Sequence, residues 1–427
     1  MSWPLIAALI MFVLMFLLRM PIPLGMISVG IVYFLLKGLN PGILSGQIMS
    51  MLYSKYVLIA VPLFIFSATV MNDGKITEYI FKFANGLIGN KKGALGHVNI
   101  IASLIFSGMT GSAIADASGL GAMEIDIMRK NGYDEGFSGA ITAASATIGP
   151  IFPPSIPMVT YAMLSGASVG ALFIGGMIPG VLIAVALMVY VGIISRKRNY
   201  PAGEKAPLRD FLFFTFKAIP ALLTPVILLG GIYTGWMTST EAGAVAGLYA
   251  IVVSFLIYRT LGVKSLWKMI KSTVRQTGIV AMMVGASAAI SYIVTRENVA
   301  STVAELVLQI TQNKYVFLLA VNISFLILGM FINVTTIQLV FIPIILPLVE
   351  AFGINLVHFG VVIVLNMMIG LSTPPFGTLL FVTSGVGDIP LKKVIKEIRW
   401  PLVGMLAVLF LITYIPDIVM VLPQLLN

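Results

Sequence analysis

Apolar runs of about 20 residues recur along the whole chain, separated by short polar connections, and each can cross a hydrocarbon core of about 30 Å. They predict spans at roughly 4–19, 22–37, 45–72, 134–163, 172–195, 220–236, 242–259, 277–295, 356–383 and 401–416. Two further apolar stretches, about 94–128 and 315–350, are interrupted midway. They read as re-entrant helical hairpins turning at Ser107 to Ser112 and at Gly329 to Thr336. Backbone away from helix geometry survives at membrane depth only where protein or a wet cavity satisfies it. The pattern predicts an all-α polytopic membrane protein of about ten crossings plus two hairpins.

The interruptions repeat. Gly108-Met109, Gly139, Ile148-Gly149 and Pro153-Pro154 return 221 residues later as Gly329-Met330, Gly360, Ile369-Gly370 and Pro374-Pro375. One offset shared by four matches divides the chain into two homologous halves, 1–210 and 211–427. Each half contains one hairpin and one interrupted span, 134–163 in the first and 356–383 in the second. Five crossings per half is an odd number, so the second repeat is expected to be inverted. The first hairpin then opens from the cytoplasm and the second from outside, with their tips meeting near the midplane. Paired helix breaks at matching depth point to a transported-ligand site between the repeats.

Of 427 residues, 59% are hydrophobic and 10% charged, too apolar for a soluble domain of this length. With no cysteine, disulfides and thiolate chemistry are excluded, and the two histidines, His97 and His358, form no metal spacing. The net charge of +10 suggests nucleic acid until its distribution is mapped. With 196–209 placed in the cytoplasm, 22 of the 26 basic residues fall on that side, leaving Lys37, Lys55, Arg296 and Lys314 outside. That is the positive-inside bias of a bilayer protein, not a nucleic-acid surface, and it puts both termini in the periplasm. The first span has no basic leader, so it reads as a span and not a cleavable signal. Within 259–275, Val263, Leu266, Trp267, Ile270 and Val274 share one helical face and Lys264, Lys268, Lys271 and Arg275 the other, which predicts an interfacial amphipathic helix. The stretch 207–218 is a second, weaker candidate. Trp3, Trp236, Trp267 and Trp400 are read as interfacial anchors, and Thr238 with Glu241 as a capping box.

The chemistry lies in the interrupted stretches. The first tip offers Ser107, Gly108, Thr110, Gly111, Ser112 and the carboxylate of Asp116; its counterpart offers Gly329, Asn333, Thr335 and Thr336. Gly149, Pro153 and Ser155 interrupt one span, as Gly370 and Thr373 with two prolines interrupt the other. Proline frees the carbonyl one turn earlier, and such carbonyls with Ser/Thr hydroxyls suit hard cations. The N-termini of broken helices favour an anionic substrate. A carboxylate at membrane depth, as at Asp116, is expensive and usually functional. Arg296 is positioned to attract a carboxylate or to anchor its helix end.

These motifs are specific enough to compare with a family. Phe106 to Ala117, Ile148 to Ser155 and Ser372 to Gly377 resemble signature segments of the large membrane subunit of TRAP transporters (DctM-like), and Ile415-Pro416-Asp417 with Leu422-Pro423 is similar to that family's C-terminus. The second tip departs from the pattern, carrying Asn333 where the family often has Asp. The resemblance implies sodium-driven uptake of an organic acid, with two or more sodium ions as coupling ions. It implies a small four-helix membrane subunit and a periplasmic substrate-binding protein as partners, in a bacterial inner membrane. It also implies an elevator-type transport core moving against a scaffold. Thr110, Ser112, Asp116, Ser155, Arg296 and Asn333 are then expected near substrate. Ser107, Gly108, Gly111, Gly149, Pro153, Gly329, Asn333, Thr335, Thr336, Gly370 and Thr373 are expected around sodium. One external arginine favours a monocarboxylate, and a sugar acid such as sialic acid is the leading substrate. The alternatives are a self-sufficient ion-coupled carboxylate symporter and a channel. No nucleophile–base pair, metal cluster or cofactor motif supports an enzyme.

Overall fold

The computed structural model describes residues 2–72, 74–203 and 207–425. Apart from one isolated bridge between Lys92 and Ala202, the described residues are helices and their connections. The first half contains α1 (Trp3–Leu17), α2 (Ile22–Leu36), α3 (Pro41–Ser54), α4 (Ala60–Met71), α5 (Gly74–Ile88), α6 (Ala94–Thr110), α7 (Ala113–Ser118), α8 (Leu120–Lys130), α9 (Glu135–Ser145), α10 (Ile156–Ser165) and α11 (Val169–Lys197). The second contains α12 (Leu208–Tyr233), α13 (Ser239–Val252), α14 (Val263–Arg296), α15 (Val299–Ile310), α16 (Lys314–Phe331), α17 (Val334–Ala351), α18 (Leu356–Leu371), α19 (Thr378–Val386), α20 (Leu391–Tyr414) and α21 (Asp417–Leu425).

The sequence offset is carried into the helices. α3 and α14, α6 and α16, α9 and α18, α10 and α19, and α11 and α20 begin 220 to 222 residues apart. Both hairpins form: α6 turns at Gly111 into α7 and α8, and α16 turns at Ile332–Asn333 into α17. Both interrupted spans break where prolines cluster, α9 giving way to α10 and α18 to α19, and each break holds a cis peptide between two prolines.

Three expectations about the spans are corrected. The stretch 259–275 is not a separate interfacial helix: from Val263 onward it forms the first turns of α14, which runs unbroken for 34 residues. No proline or helix-breaking glycine separates its basic part from its apolar part, so the backbone hydrogen bonds simply continue. The stretch 207–218 likewise merges into α12, which tolerates Pro220 and Pro225 internally. Conversely, 45–72 is bent and not one continuous helix: Lys55 ends α3, and a 3-10 turn over Tyr56–Ile59 leads into α4 at a bend of 69°.

One large core joins α6 to α11 and α16 to α21, with α9 packed on α20, α11 on α18, α10 on α17 and α7 on α19, and it takes in Ala60, Val61, Phe64 and Ile65 of α4, Leu228 of α12 and Ala242 and Ala246 of α13. Helices of one repeat thus lie between helices of the other. Around this core stand α1 to α4 and α12 to α14, joined to one another through contacts of α14 with α2, α3 and α4 and of α13 with α4 and α12. Large apolar side chains on the outer helices remain exposed, among them Leu9, Val13, Phe216, Val226 and Leu248, as befits surfaces facing hydrocarbon chains. At one end of α14 the Glu297 carboxylate accepts hydrogen bonds from Ser2, Tyr33 and Lys37 at 2.7, 2.6 and 2.8 Å. These three donors, Lys37 foremost, hold it at a pKa of about 2. On the opposite, basic face Arg198 donates to Glu397 at 3.0 and 2.8 Å and to Asp134 at 3.0 Å, while Lys393 pairs with Glu135. The Thr238–Glu241 capping box is present, opening α13.

Candidate functional site

The first tip and the first break are one structure. Gly111 ends α6 with φ +57, and a Cβ there would stand 2.4 Å from the Pro154 carbonyl oxygen, so both its backbone conformation and its contact demand glycine. Ser112 caps α7 by accepting from the Ala115 N–H at 3.4 Å, and Ser155 caps α10 by accepting from the Met158 N–H at 3.2 Å. The Ser155 hydroxyl donates to the Pro150 carbonyl, and the Ser107 hydroxyl to that of Leu104 at 2.5 Å. A Cβ on Gly149 would lie 3.6 Å from Ser112 C; one on Gly108 would lie 3.1 Å from Pro225 of α12 and 3.8 Å from the Pro153 oxygen. Ser107, Gly108, Thr110, Gly111, Ser112, Gly149, Pro153 and Ser155 therefore come together.

The second tip and second break pair in the same way. A Cβ built on Gly370 would stand 2.8 Å from the Gly329 Cα, so backbone meets backbone there. Asn333 caps α17, accepting from the Thr335 N–H at 2.9 Å, and the Thr373 hydroxyl donates to the Ile369 carbonyl at 2.7 Å. The two assemblies are linked where the Gln338 amide donates to the Pro157 carbonyl at 3.0 Å.

The donor chemistry fits a hard monovalent cation. Thr110 and Thr336 each bury a hydroxyl that lacks a hydrogen-bond partner, one at each tip. No group of three or more His, Cys, Asp or Glu that could hold a metal ion exists among the described residues. Oxygen donors without thiolate or imidazole suit sodium better than a transition metal.

A cavity of about 390 Å³ opens at the first tip. Thr110, Ser112, Ala115 and Ile156 form one wall; Thr69 and Asn72 of α4 and Lys268, Ser272 and Gln276 of α14 form the other. It lies between the hairpin and the outer helices, not between the two tips, and neither Asn333 nor Arg296 lines it. Arg296 is 20 residues beyond Gln276 on the same helix, about 30 Å along its axis. Ser155 and Asp116 sit just behind the cavity wall, 0% and 1% exposed. The Asp116 carboxylate has the Ser103 hydroxyl beside it but no hydrogen bond of ordinary geometry.

One residue of this region escaped the sequence reading. Glu124 on α8 is 0% exposed, makes no hydrogen bond, and has Asp116 as its interacting charge. The signal was available: Leu120, Gly121, Ile125 and Met128 share its buried helical stripe, whereas Asp126 faces out and pairs with Lys130 at 2.6 Å.

Residues 9–418 match the family model described as the tripartite ATP-independent periplasmic transporter, DctM component. The chain belongs to this family. It is similar to the sialic acid TRAP transporter large permease protein SiaM of Vibrio cholerae, 43% identical over 95% of each chain. It is 36% identical to the C4-dicarboxylate TRAP transporter large permease protein DctM of Pseudomonas aeruginosa, over 86% of each. Among solved structures, the YdaH transporter of Alcanivorax borkumensis shares the fold at a TM-score of 0.65 and 12% identity, covering 87% of this chain and 86% of that one. As a large permease of a tripartite system, the chain is a multi-pass membrane transport component that works with a small membrane subunit and a periplasmic binding protein.

Proposed function

We propose that this large permease imports an organic acid, with a sugar acid such as sialic acid as the leading candidate, in symport with two or more sodium ions. The acid is delivered by the periplasmic binding protein, and the permease sits with its small subunit in a bacterial inner membrane, both termini periplasmic. The observation that carries this reading is the pair of tip-and-break assemblies, each with a buried hydroxyl lacking a partner. One of them faces a cavity large enough for a small organic acid.

In this mechanism, Thr110 with the carbonyls around Gly149 and Pro153 holds one sodium ion. Thr336 with Asn333, Gly370 and Thr373 holds the other. Sodium orders the tips and offsets the negative charge of the substrate, so each ligand raises the affinity for the other by the same factor. The hairpins and broken helices then move as an elevator against α1 to α4 and α12 to α14. Similarity to the sialic acid permease supports the sugar acid, and similarity to the C4-dicarboxylate permease keeps a second substrate class in view.

The test is reconstitution of the permease with its small subunit in proteoliposomes, with the binding protein outside and sialic acid, gluconate or succinate as labelled substrate. Uptake that requires an inward sodium gradient is expected. Uptake unchanged when choline replaces sodium overturns the coupling, and uptake by the permease alone favours a self-sufficient symporter.

A further inference from the structure

We infer that Lys268 is a substrate-anion residue of the cavity at the first tip, and that it sets this cavity apart electrostatically from the one walled by α3 and α14. The inference deepens the proposed function. Among the described residues, Lys268 is the one charged side chain lining the cavity, and it forms no salt bridge. Its neighbours on the basic stripe are differently used: Lys271 lies over the Trp267 ring at 5.6 Å, and neither it nor Lys264 reaches the cavity. The stripe that resembles a headgroup-binding face therefore turns one of its cations toward the hairpin tip.

Across Lys268 stand the Thr110 hydroxyl, buried without a partner, and Ile156 at the N-terminus of α10. The helix N-terminus and the ammonium both favour negative charge in the space between them. A small organic anion held by its carboxylate near Lys268, with its body against Thr110 and Ser112, satisfies both walls.

The repeat supplies the comparison. Subtracting the 221-residue offset from Lys268 gives Gln47 on α3, and Gln47 lines a second cavity, of about 360 Å³, between α3 and α14. That cavity is walled by Ser50, Ser54, Ser291 and Thr295 and contains no charged side chain. It lies toward the Arg296 end of α14, while Lys268 lies toward the other. The two cavities thus share a neutral hydroxyl lining, and among the described residues only the one at the first tip has a cation. An anion leaving the tip toward the cytoplasm moves against an inside-negative potential, and Lys268 offsets part of that opposition.

The experiment uses the reconstituted permease with its small subunit, and as probe whichever of sialic acid, gluconate or succinate shows uptake in the wild type. Exchange is measured with the probe varied inside or outside. Lys268→Gln is expected to raise the half-saturating internal concentration roughly three- to tenfold, the range for one partly solvated charge, with little change in external half-saturation or maximal rate. Lys268→Arg restores the wild-type value, and Lys271→Gln leaves it unchanged. The difference shrinks as salt rises past about 0.1 M, where charges about 10 Å apart are screened. Gln47→Lys is expected to lower the external half-saturation instead. Internal half-saturation identical in wild type, Lys268→Gln and Lys268→Glu overturns the inference, as does an equal change from Lys271→Gln. Loss of sodium dependence with the Lys268 effect intact overturns the coupling proposal alone. Wild-type inertness toward all three acids overturns both.

Discussion

The contact between Gly370 and Gly329 joins the second tip to the second break backbone to backbone, and replacing Gly370 by alanine tests it. The new Cβ stands 2.8 Å from the Gly329 Cα, 2.9 Å from its C and 3.1 Å from the Leu326 oxygen, against about 3.5–4.0 Å for comfortable carbon contacts. All three are backbone atoms of a packed helix, so none can swing aside. Overpacking of this kind costs about 3 kcal/mol, from which the better helix propensity of alanine recovers roughly 1, leaving a net loss of about 2 kcal/mol. In a chain of this size that lowers the thermal midpoint by about 2–4 °C. The assay is thermal unfolding of the purified permease in detergent, with and without sodium chloride. Because the joint holds the proposed second sodium site together, the sodium-dependent rise in midpoint is expected to shrink as well. Two controls bracket the result. Gly278→Ala, with nothing within 4 Å, is neutral or mildly stabilising, and Gly149→Ala, whose nearest contact is 3.2 Å, is intermediate. A Gly370→Ala protein with wild-type midpoint and wild-type sodium response refutes the reasoning.

Asn333→Asp keeps the N-cap, since the two residues cap equally well, but adds a carboxylate to the second tip. Unchanged stability with a several-fold lower half-saturating sodium concentration is expected in a sodium titration of uptake. Glu124→Gln preserves volume and removes a carboxylate that has no cation to pair with, so an unchanged or higher thermal midpoint is expected. Glu124→Lys, which leaves an uncompensated charge in the same place, fails to accumulate as folded protein, as size-exclusion profiles will show. Glu297 titrates from an ordinary 4.5 down to about 2 in the folded chain, so its contribution is present above pH 4.5 and lost as pH falls toward 2. Glu297→Gln is expected to flatten that part of the stability profile, measured as thermal midpoint against pH. Arg198→Lys loses the fork that bonds Asp134 through Nη1 and Glu397 through Nη2, and because the site is on the surface the cost is about 1 kcal/mol or less in the same melting assay.

Much of the fold was legible because the signals were backbone signals. Gly111 and the proline pairs at 153–154 and 374–375 strongly disfavour continuous helix, so the tips and breaks could be placed without knowing their neighbours. The packing of each tip against the break of its own half, as Gly329 against Gly370, is visible only in the structure. What the pattern could not supply was the partner of a face. The stripe of Lys264, Lys268 and Lys271 is polar whether it meets lipid headgroups or a polar hairpin tip, and periodicity is the same in both cases. Length misled in a related way. A basic segment and an apolar one read as two helices, although nothing between them interrupts α14, while an apolar run hid the turn after Lys55. Arg296 has the right charge, but lies one membrane thickness from the cavity at the first tip because it ends the same helix whose beginning lines it.

The contrast between α14 and its broken counterpart has a mechanical consequence. A 34-residue helix is about 51 Å long, a single rod crossing the whole membrane. Its far end is clamped to the first two helices through Glu297, and its near end forms the wall that carries Lys268. With no joint along its length, that wall cannot swing on its own. Widening or sealing the vestibule therefore falls to the opposite side, where Gly111 and the proline-rich loop already interrupt the chain.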